Sequence, residues 1–267
     1  MADLRTKPTA IEKALDVLVA FLPARSEMGT VEISRSTGFH VATVNRILQV
    51  LAKKRFLQQN PTTRKFALGP LVLALGKSVI ESLSDNLLQV SIPHLNELCE
   101  RVRETVVLEA ITGMHGLAAY VAQGKQTLSI RATIGTRLPT HAAAGCKAII
   151  AFSDPDTINR FLNKKMGAFT PKTITDPQTL KAELAKIRKS GIAYAREELE
   201  LGINAIAMPI IKGGGKPVGA VSVVGPSSRI KCIPKSPIVP ELEKTVQSIS
   251  SHPFQAQGRG RPVKAPP

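Results

Sequence analysis

The sequence predicts a mixed α/β fold of the α+β type, in which a winged helix-turn-helix precedes a domain built on a mostly antiparallel sheet. Three observations predict it. Amphipathic helical stretches punctuated by Pro23 and Gly38 fill the first 54 residues. Two short strand-like runs then flank Asn60-Pro61. Further along, β-rich runs at 106–111, 117–122, 128–134, 203–211 and 218–224 enclose helical stretches at about 142–152, 155–162 and 177–190. That is the layout of a sheet with helices on its faces.

The elements of the head follow from local patterns. Ile11, Leu15, Leu18 and Leu22 recur at helical spacing, with Thr9 as N-cap and Pro23 as terminator. Thr30 caps a second short helix over 31–37, and Gly38 supplies the turn. A third helix runs from about residue 40 to 54 and places Val44, Ile47, Leu48 and Leu51 on one face. Ala42, Arg46, Gln49 and Lys53 fall on the opposite face, with Asn45 beside them. Such a helix can dock its apolar stripe on neighbouring helices and turn its polar face to a major groove. There Arg can take guanine bidentately, and Asn or Gln can take adenine. The stretch 56–69 reads as a hairpin, with Arg64 and Lys65 at a basic tip suited to phosphates. The alternative is a small helical subdomain whose charges are merely solvated.

Pro70 suits the first turn of a linker helix over 71–83, and another helix spans 87–103. The resulting division is a head at 1–69, a linker helix at 70–86, a larger domain at 87–250 and a tail at 251–267. The tail lacks apolar periodicity, is rich in Pro, Gly and Gln, and reads as disordered. Within it, Gly258-Arg259-Gly260-Arg261-Pro262 resembles the core of an AT-hook, in which Arg259 and Arg261 would lie in a narrow minor groove.

Composition narrows the function classes. The 267 residues carry a formal charge of +16, which points to a polyanion, most commonly nucleic acid. Residues 1–76 hold 11 basic against 5 acidic side chains, and 252–267 hold 3 basic and no acidic ones. Both are denser in positive charge than the middle. Two Tyr, eight Phe and no Trp are few for a protein that stacks single-stranded bases, so double-stranded DNA is the expected partner. No apolar run approaches a membrane span, and the first residues carry no apolar signal segment. Cys99, Cys146 and Cys232 form neither a CxxC pair nor a zinc spacing, which fits a reducing cytoplasm. No catalytic triad order, metal motif or phosphate loop emerges, so no cofactor is expected. Gly213-Gly214-Gly215 reads as a hairpin turn.

The stretches Ile11-Glu12-Lys13-Ala14-Leu15-Asp16-Val17-Leu18, Thr37-Gly38-Phe39, Thr43-Val44-Asn45-Arg46-Ile47-Leu48 and Phe66-Ala67-Leu68-Gly69 resemble the isocitrate-lyase-regulator (IclR) family of bacterial transcription factors. The resemblance continues through Ile134-Gly135-Thr136-Arg137-Leu138-Pro139-Thr140-His141, Lys147-Ala148, Ser190-Gly191-Ile192-Ala193, Glu198, Gly202, Ile206-Ala207-Met208-Pro209 and Ser222-Val223-Val224-Gly225-Pro226. It covers roughly residues 8–250 and implies a GAF-like domain that senses a small, often acidic metabolite. The family often has a polar or basic residue and then Ser before the recognition-helix Thr43. Here Val41 and Ala42 stand there, which implies that one phosphate or base contact is either lost or replaced by apolar contact with a thymine methyl.

On this reading Ile134, Gly135, Thr140 and His141 lie at the mouth of an effector pocket, with His141 a ligand donor, a structural hydrogen-bonder or a loop anchor. Ala142 opens a helix whose free N–H groups attract a carboxylate. Ile130, Ile134 and Leu138 supply apolar wall, Ala205 and Ala207 leave space, and Ser222 shares a strand face with Val224 and offers a hydroxyl. The family often has Cys at Ala205 and Ser at Val224. Their replacement favours an acid with an apolar or aromatic body. Cys146, near a helix start, is either a thiol of lowered pKa or a small space-filler. Glu197, Glu198 and Glu200 read as a solvated or loop-bracing acidic run. The leading expectation is a homodimeric or homotetrameric regulator that reads a palindromic operator. The alternatives are an enzyme with a DNA-binding head and a sequence-indifferent architectural protein.

Overall fold

The computed structural model describes residues 8–22, 27–82, 87–126, 129–130, 132–213 and 215–252. The chain separates into two compact units, residues 1–82 and 83–267.

In the first unit, α1 (Ala10–Val19) starts with a capping box. The Thr9 hydroxyl accepts from the Glu12 N–H (3.2 Å), and the Glu12 carboxylate accepts from the Thr9 N–H (2.6 Å). The helix ends at Val19 in a turn over 20–22, several residues ahead of Pro23. Pro23, the expected terminator, lies outside the described residues. The expected apolar stripe is also displaced. Ile11, Leu15 and Leu22 are exposed and Leu18 is partly buried against the core, whose buried residues from this segment are Val17 and Phe21. Because the helix stops at Val19, Phe21 falls in the turn and packs with Met28, Ile33, Val44, Leu48, Leu51, Leu57 and Phe66.

Helix α2 (Thr30–Thr37) is capped by Gly29, with Thr30 already helical, and the Gly29 N–H donates to the Glu32 carboxylate at 2.6 Å. Gly38 closes α2 at φ 73°, the left-handed conformation that favours glycine. Helix α3 (Val41–Lys53) follows, capped by the His40 ring. The wing is an antiparallel hairpin of β1 (Leu57–Gln59) and β2 (Phe66–Leu68), extended by a bridge between Met28 and Phe66. A Cβ at Gly69 would lie 2.4 Å from the Arg55 carbonyl oxygen, so only glycine fits between the hairpin and α4 (Pro70–Ser82).

The second unit runs α5 (Leu87–Val102), β3 (Thr105–Thr112), β4 (His115–Ala122), β5 (Arg137–Leu138), α6 (Ala144–Ala151), α7 (Pro155–Leu162), α8 (Pro177–Ser190), β6 (Ala193–Arg196), β7 (Ile203–Ile211), β8 (Pro217–Pro226) and α9 (Ile238–Ser250). The sheet order is β5-β4-β3-β8-β7-β6, antiparallel throughout. Helices α6, α7 and α8 pack with the alanine-rich face of Ala193, Ala195, Ala205, Ala207 and Ala220. Helices α5 and α9 pack together against β3 and β7. Both faces of β3 and β8 are thus covered, which is why they read as continuous apolar runs. Among the described residues no helix is long and apolar enough to cross a membrane.

Two expectations are corrected here. The run 128–134 is not a strand in its described residues. The Ile130 carbonyl is taken by side chains, Thr105 Oγ1 at 2.7 Å and Gln123 Nε2 at 2.6 Å, and the edge beside β4 goes to the short β5. The helix expected from Ala142 begins at Ala144, because 139–143 first turn back on themselves, the Ala142 and Ala143 N–H groups both donating to the Pro139 carbonyl. Strand β6 and helix α9 were not foreseen.

Candidate functional site

On the head, Ala42, Asn45, Arg46, Gln49 and Lys53 are all exposed along α3, as is Val41 at its start, while Thr43 is half-buried. Opposite them Val44, Leu48 and Leu51 are buried, so the expected two-faced helix is present. Thr43 and Arg46 also border a cleft of about 410 Å³ between α3 and α1, shared with Lys13, Ile47 and Val50. The wing tip is shaped by Asn60, whose Oδ1 accepts from the N–H groups of Thr62 (2.8 Å) and Thr63 (3.2 Å). Arg64 is exposed there at φ 59°. Glu27 buttresses the tip. It accepts from Asn60 (2.7 Å) and Thr63 (2.9 Å), and these bonds hold its carboxyl below the usual range. Lys65 pairs with Glu32 at 3.4 Å. An exposed pair of that kind is worth little and leaves the ammonium free to turn to a phosphate. Arg259 and Arg261 lie outside the described residues.

In the second unit the expected effector residues divide between two cavities. The first, about 310 Å³, opens between the sheet, the 130–138 segment and the approach to α6. Ile130, Leu138, Ala142, Ala205 and Val224 line it as expected. Ala207 and Ser222 do not. Each is fully buried, two residues along its strand from Ala205 or Val224. Ile134 and Gly135 form an exposed turn, Gly135 at φ 86°. The second cavity, about 390 Å³, takes Leu138, Thr140 and His141 together with His115, Arg137, Lys164 and Lys165. His141 is a loop anchor. Its Nε2 lies 2.9 Å from the Gly167 carbonyl and its ring packs on Phe169. Burial, then the charges of Arg137 and Lys164, hold the His115 imidazole below its ordinary value.

Glu109 also lines the first cavity, and sequence reasoning missed it. It lies on β3 at a break in register, where Leu108 faces Tyr120 but Glu109 faces Ala118. A bulge of this kind re-aims a side chain. The carboxyl accepts from the Cys146 N–H (2.9 Å) and the Ser222 hydroxyl. A Cβ at Gly145 would sit 2.5 Å from its Cδ, so glycine there makes room for it. Burial pushes the Glu109 carboxyl up, and the Ser222 and Cys146 hydrogen bonds oppose this. At this helix start, expected to offer free N–H groups to a ligand carboxylate, the Cys146 N–H is already taken by the protein's own carboxyl.

The same group settles Cys146. Burial and the neighbouring Glu109 raise its thiol well above the ordinary value, opposite to a reactive cysteine. A Cβ at Gly116 would lie 2.2 Å from its Sγ, so Cys146 fills the space that Gly116 leaves. Cys99 is also raised, and burial pushes Cys232 up to about 11. All three thiols are buried. A disulfide-exchange reagent at neutral pH is expected to label none of them in the native protein and all of them in denaturant. Rapid labelling of Cys146 before unfolding would contradict this.

The acidic run is also not simply solvated. Glu198 is buried, with its carboxylate 2.7 Å from the fully buried Lys147 ammonium of α6. Glu197, at φ 58°, pairs with Lys172 at 3.0 Å. Glu200 is exposed and lines the first cavity, as does Asn204.

Two family models match the chain. One, described as "Bacterial transcriptional regulator IclR C-terminal", covers residues 80–251, and the other, "IclR helix-turn-helix domain", covers 10–61. The DNA-binding transcriptional repressor YiaJ of Escherichia coli (strain K12) is 30% identical over 82% of this chain and 78% of its own. The transcriptional repressor IclR of the same organism is 29% identical over 83% and 81%. Among solved structures, the Thermotoga maritima IclR aligns with a TM-score of 0.74 at 26% identity, covering 90% of this chain and 96% of its own. An IclR homolog from Microbacterium hydrocarbonoxydans complexed with 4-hydroxybenzoate aligns with a TM-score of 0.70 at 25% identity, covering 91% and 98%.

Proposed function

The chain belongs to the IclR family of ligand-responsive, DNA-binding transcriptional regulators, and on that premise we propose how its residues divide the work. It is a regulator and not an enzyme, as its relatives are. In our reading α3 enters the major groove. Arg46 reads guanine, Asn45 and Gln49 read adenine, Val41, Ala42 and Thr43 meet thymine methyls or the backbone, and Lys53, Arg64 and Lys65 hold phosphates. The observation that carries this is the two-sided burial of α3, whose polar positions are exposed while Val44, Leu48 and Leu51 close the core.

We assign the operator as a palindrome read by two copies, because helix-turn-helix dimers match half-sites to their own symmetry. The unpartnered apolar side chains Ile11 (74% exposed), Leu15 (56%) and Leu73 (78%) on the head unit support self-association. Selection from a random DNA pool is expected to enrich an inverted repeat. Equal affinity for selected and random DNA at fixed salt would favour the architectural alternative. Removing residues 252–267 is expected to lower the slope of log affinity against log salt by roughly two to three, since that tail carries three basic residues. An unchanged slope would refute the role of Arg259 and Arg261.

The effector, in the same reading, occupies the 310 Å³ cavity, whose lining is largely apolar with a few placed polar groups. Ligand and operator binding are then coupled reciprocally, with α4 as the connecting element. The small organic acid expected from the sequence has its charge complement in the second cavity, beside Arg137, Lys164 and Lys165.

A further inference from the structure

We propose that the second cavity is a separate binding site for a small organic dianion, its charges held by Arg137, Lys164 and Lys165 over an apolar floor. The inference rests on the charge complement of that cavity and not on what the first cavity binds.

The cavity, about 390 Å³, gathers basic groups from three parts of the chain. Arg137 comes from β5, His115 from the start of β4, and Lys164 and Lys165 from the segment after α7. The Lys164 ammonium donates to the Met114 carbonyl at 3.0 Å, which pins it close to His115. Burial, and then the charges of Arg137 and Lys164, depress the His115 imidazole, so these groups crowd one end of the concavity. Elsewhere in this unit Arg101, Lys125, Lys172 and Arg229 each stand beside a carboxylate. Among the described residues Arg137, Lys164 and Lys165 have no such partner, and neither the lining residues nor their immediate chain neighbours include an Asp or Glu. Like charges gathered in a concave site repel one another and focus a positive potential. One carboxylate would offset one of the three permanent charges, and a second anionic group offsets another.

The interior of the cavity points the same way. Thr140 is 6% exposed and lines it, and among the described residues its hydroxyl has no hydrogen-bond partner. Buried polar groups are normally satisfied, and an anionic oxygen is the acceptor that this hydroxyl lacks. His141 stands next to it, held in place by its Nε2 contact with the Gly167 carbonyl. Below them Ile150, Phe161 and Leu180 form a buried apolar floor. An inorganic ion would leave that floor bare, whereas a short hydrocarbon body covers it. Among the described residues Leu138 alone is common to the linings of the two cavities, so a ligand here occupies its own space.

The experiment is equilibrium dialysis of the full chain against three radiolabelled probes, adipate, phenyl phosphate and hexanoate. Ionic strength is fixed, at about pH 7.5, above the second ionisation of a phosphate ester. Hexanoate matches adipate in chain length and carries one charge. At least one dianion is expected to bind roughly tenfold tighter than hexanoate, and the tighter of the two tells a dicarboxylate from a phosphate ester. Arg137→Gln and Lys165→Gln, both at exposed positions, are each expected to bring that ratio close to one. Equal affinity for all three probes, or retention of none of them, overturns the proposal on the native protein alone, whether or not the variants fold. Dianion binding that neither variant weakens also overturns it, and its loss in Ala205→Leu would then place the ligand in the first cavity. If hexanoate binds as tightly as the dianions and Arg137→Gln weakens all three, the preference for two charges falls while the cavity still complements a small acid. If ligand-free Arg137→Gln loses operator affinity and keeps its dianion binding, the cations serve DNA and the proposal falls.

Discussion

Lys147→Met is expected to destabilise the sensing domain by about 3–5 kcal/mol, the cost of leaving one partner of a buried ion pair uncompensated. The Lys147 side chain is 0% exposed and that of Glu198 6%, and both carboxylate oxygens lie 2.7 Å from the ammonium. Removing the cation strands a carboxylate whose remaining hydrogen bond is a 3.4 Å contact from the Arg196 N–H. The double variant Lys147→Met, Glu198→Met is expected to recover most of the loss, because the desolvation cost disappears together with the attraction. Urea unfolding checks both, provided the slope against denaturant stays constant. A single-variant loss below about 1 kcal/mol would place the pair with solvated ones. The pair ties α6, which carries the Cys146 N–H to Glu109, to the loop between β6 and β7 that carries Glu200. Its loss is therefore expected to loosen the 310 Å³ cavity as well.

What the sequence made legible was whatever a short window can encode. The Thr9 N-cap, the Gly38 turn and the two faces of α3 each depend on residues at most a few positions apart. The alternation on β8 correctly put Ala220, Ser222 and Val224 on one face. The failures are long-range. Glu109 meets Ser222 across 113 residues and Cys146 across 37, so one acid within an apolar strand gave no sign of its partners. Glu198 read as part of a solvated or loop-bracing acidic run, and its buried pairing went unseen because Lys147 lies 51 residues away. The strand expected over 128–134 had suitable residues, but Thr105 and Gln123 claim the Ile130 carbonyl. The α1 stripe failed differently. Helical periodicity finds an apolar face, and tertiary packing decides that Val17 and Phe21 are buried while Ile11 and Leu15 stay outside.

Arg46→Ala is expected to cost about 1–3 kcal/mol of operator affinity per recognition helix, and to relax specificity at one base position in each half-site. Arg46 is exposed and outside the packed core of the head, so folding stability should stay within about 0.5 kcal/mol of the native protein. Lys53→Ala removes a charge from the same exposed face but from a side chain assigned to phosphate. It should weaken operator and random DNA alike and lower the salt slope by about one per contact. The contrast tests the functional assignment itself. On a sequence-indifferent architectural protein the two substitutions would behave alike, both reporting only charge. On an operator-reading dimer they diverge, and each is counted twice because both half-sites lose the contact. The Arg46→Ala penalty then rises toward about 2–6 kcal/mol on a full palindrome and is halved on an isolated half-site. Fluorescence anisotropy at matched salt on full-site, half-site and random duplexes measures all of these quantities. An Arg46→Ala loss equal on all three duplexes would remove α3 as the reading helix, whatever the family resemblance of the head.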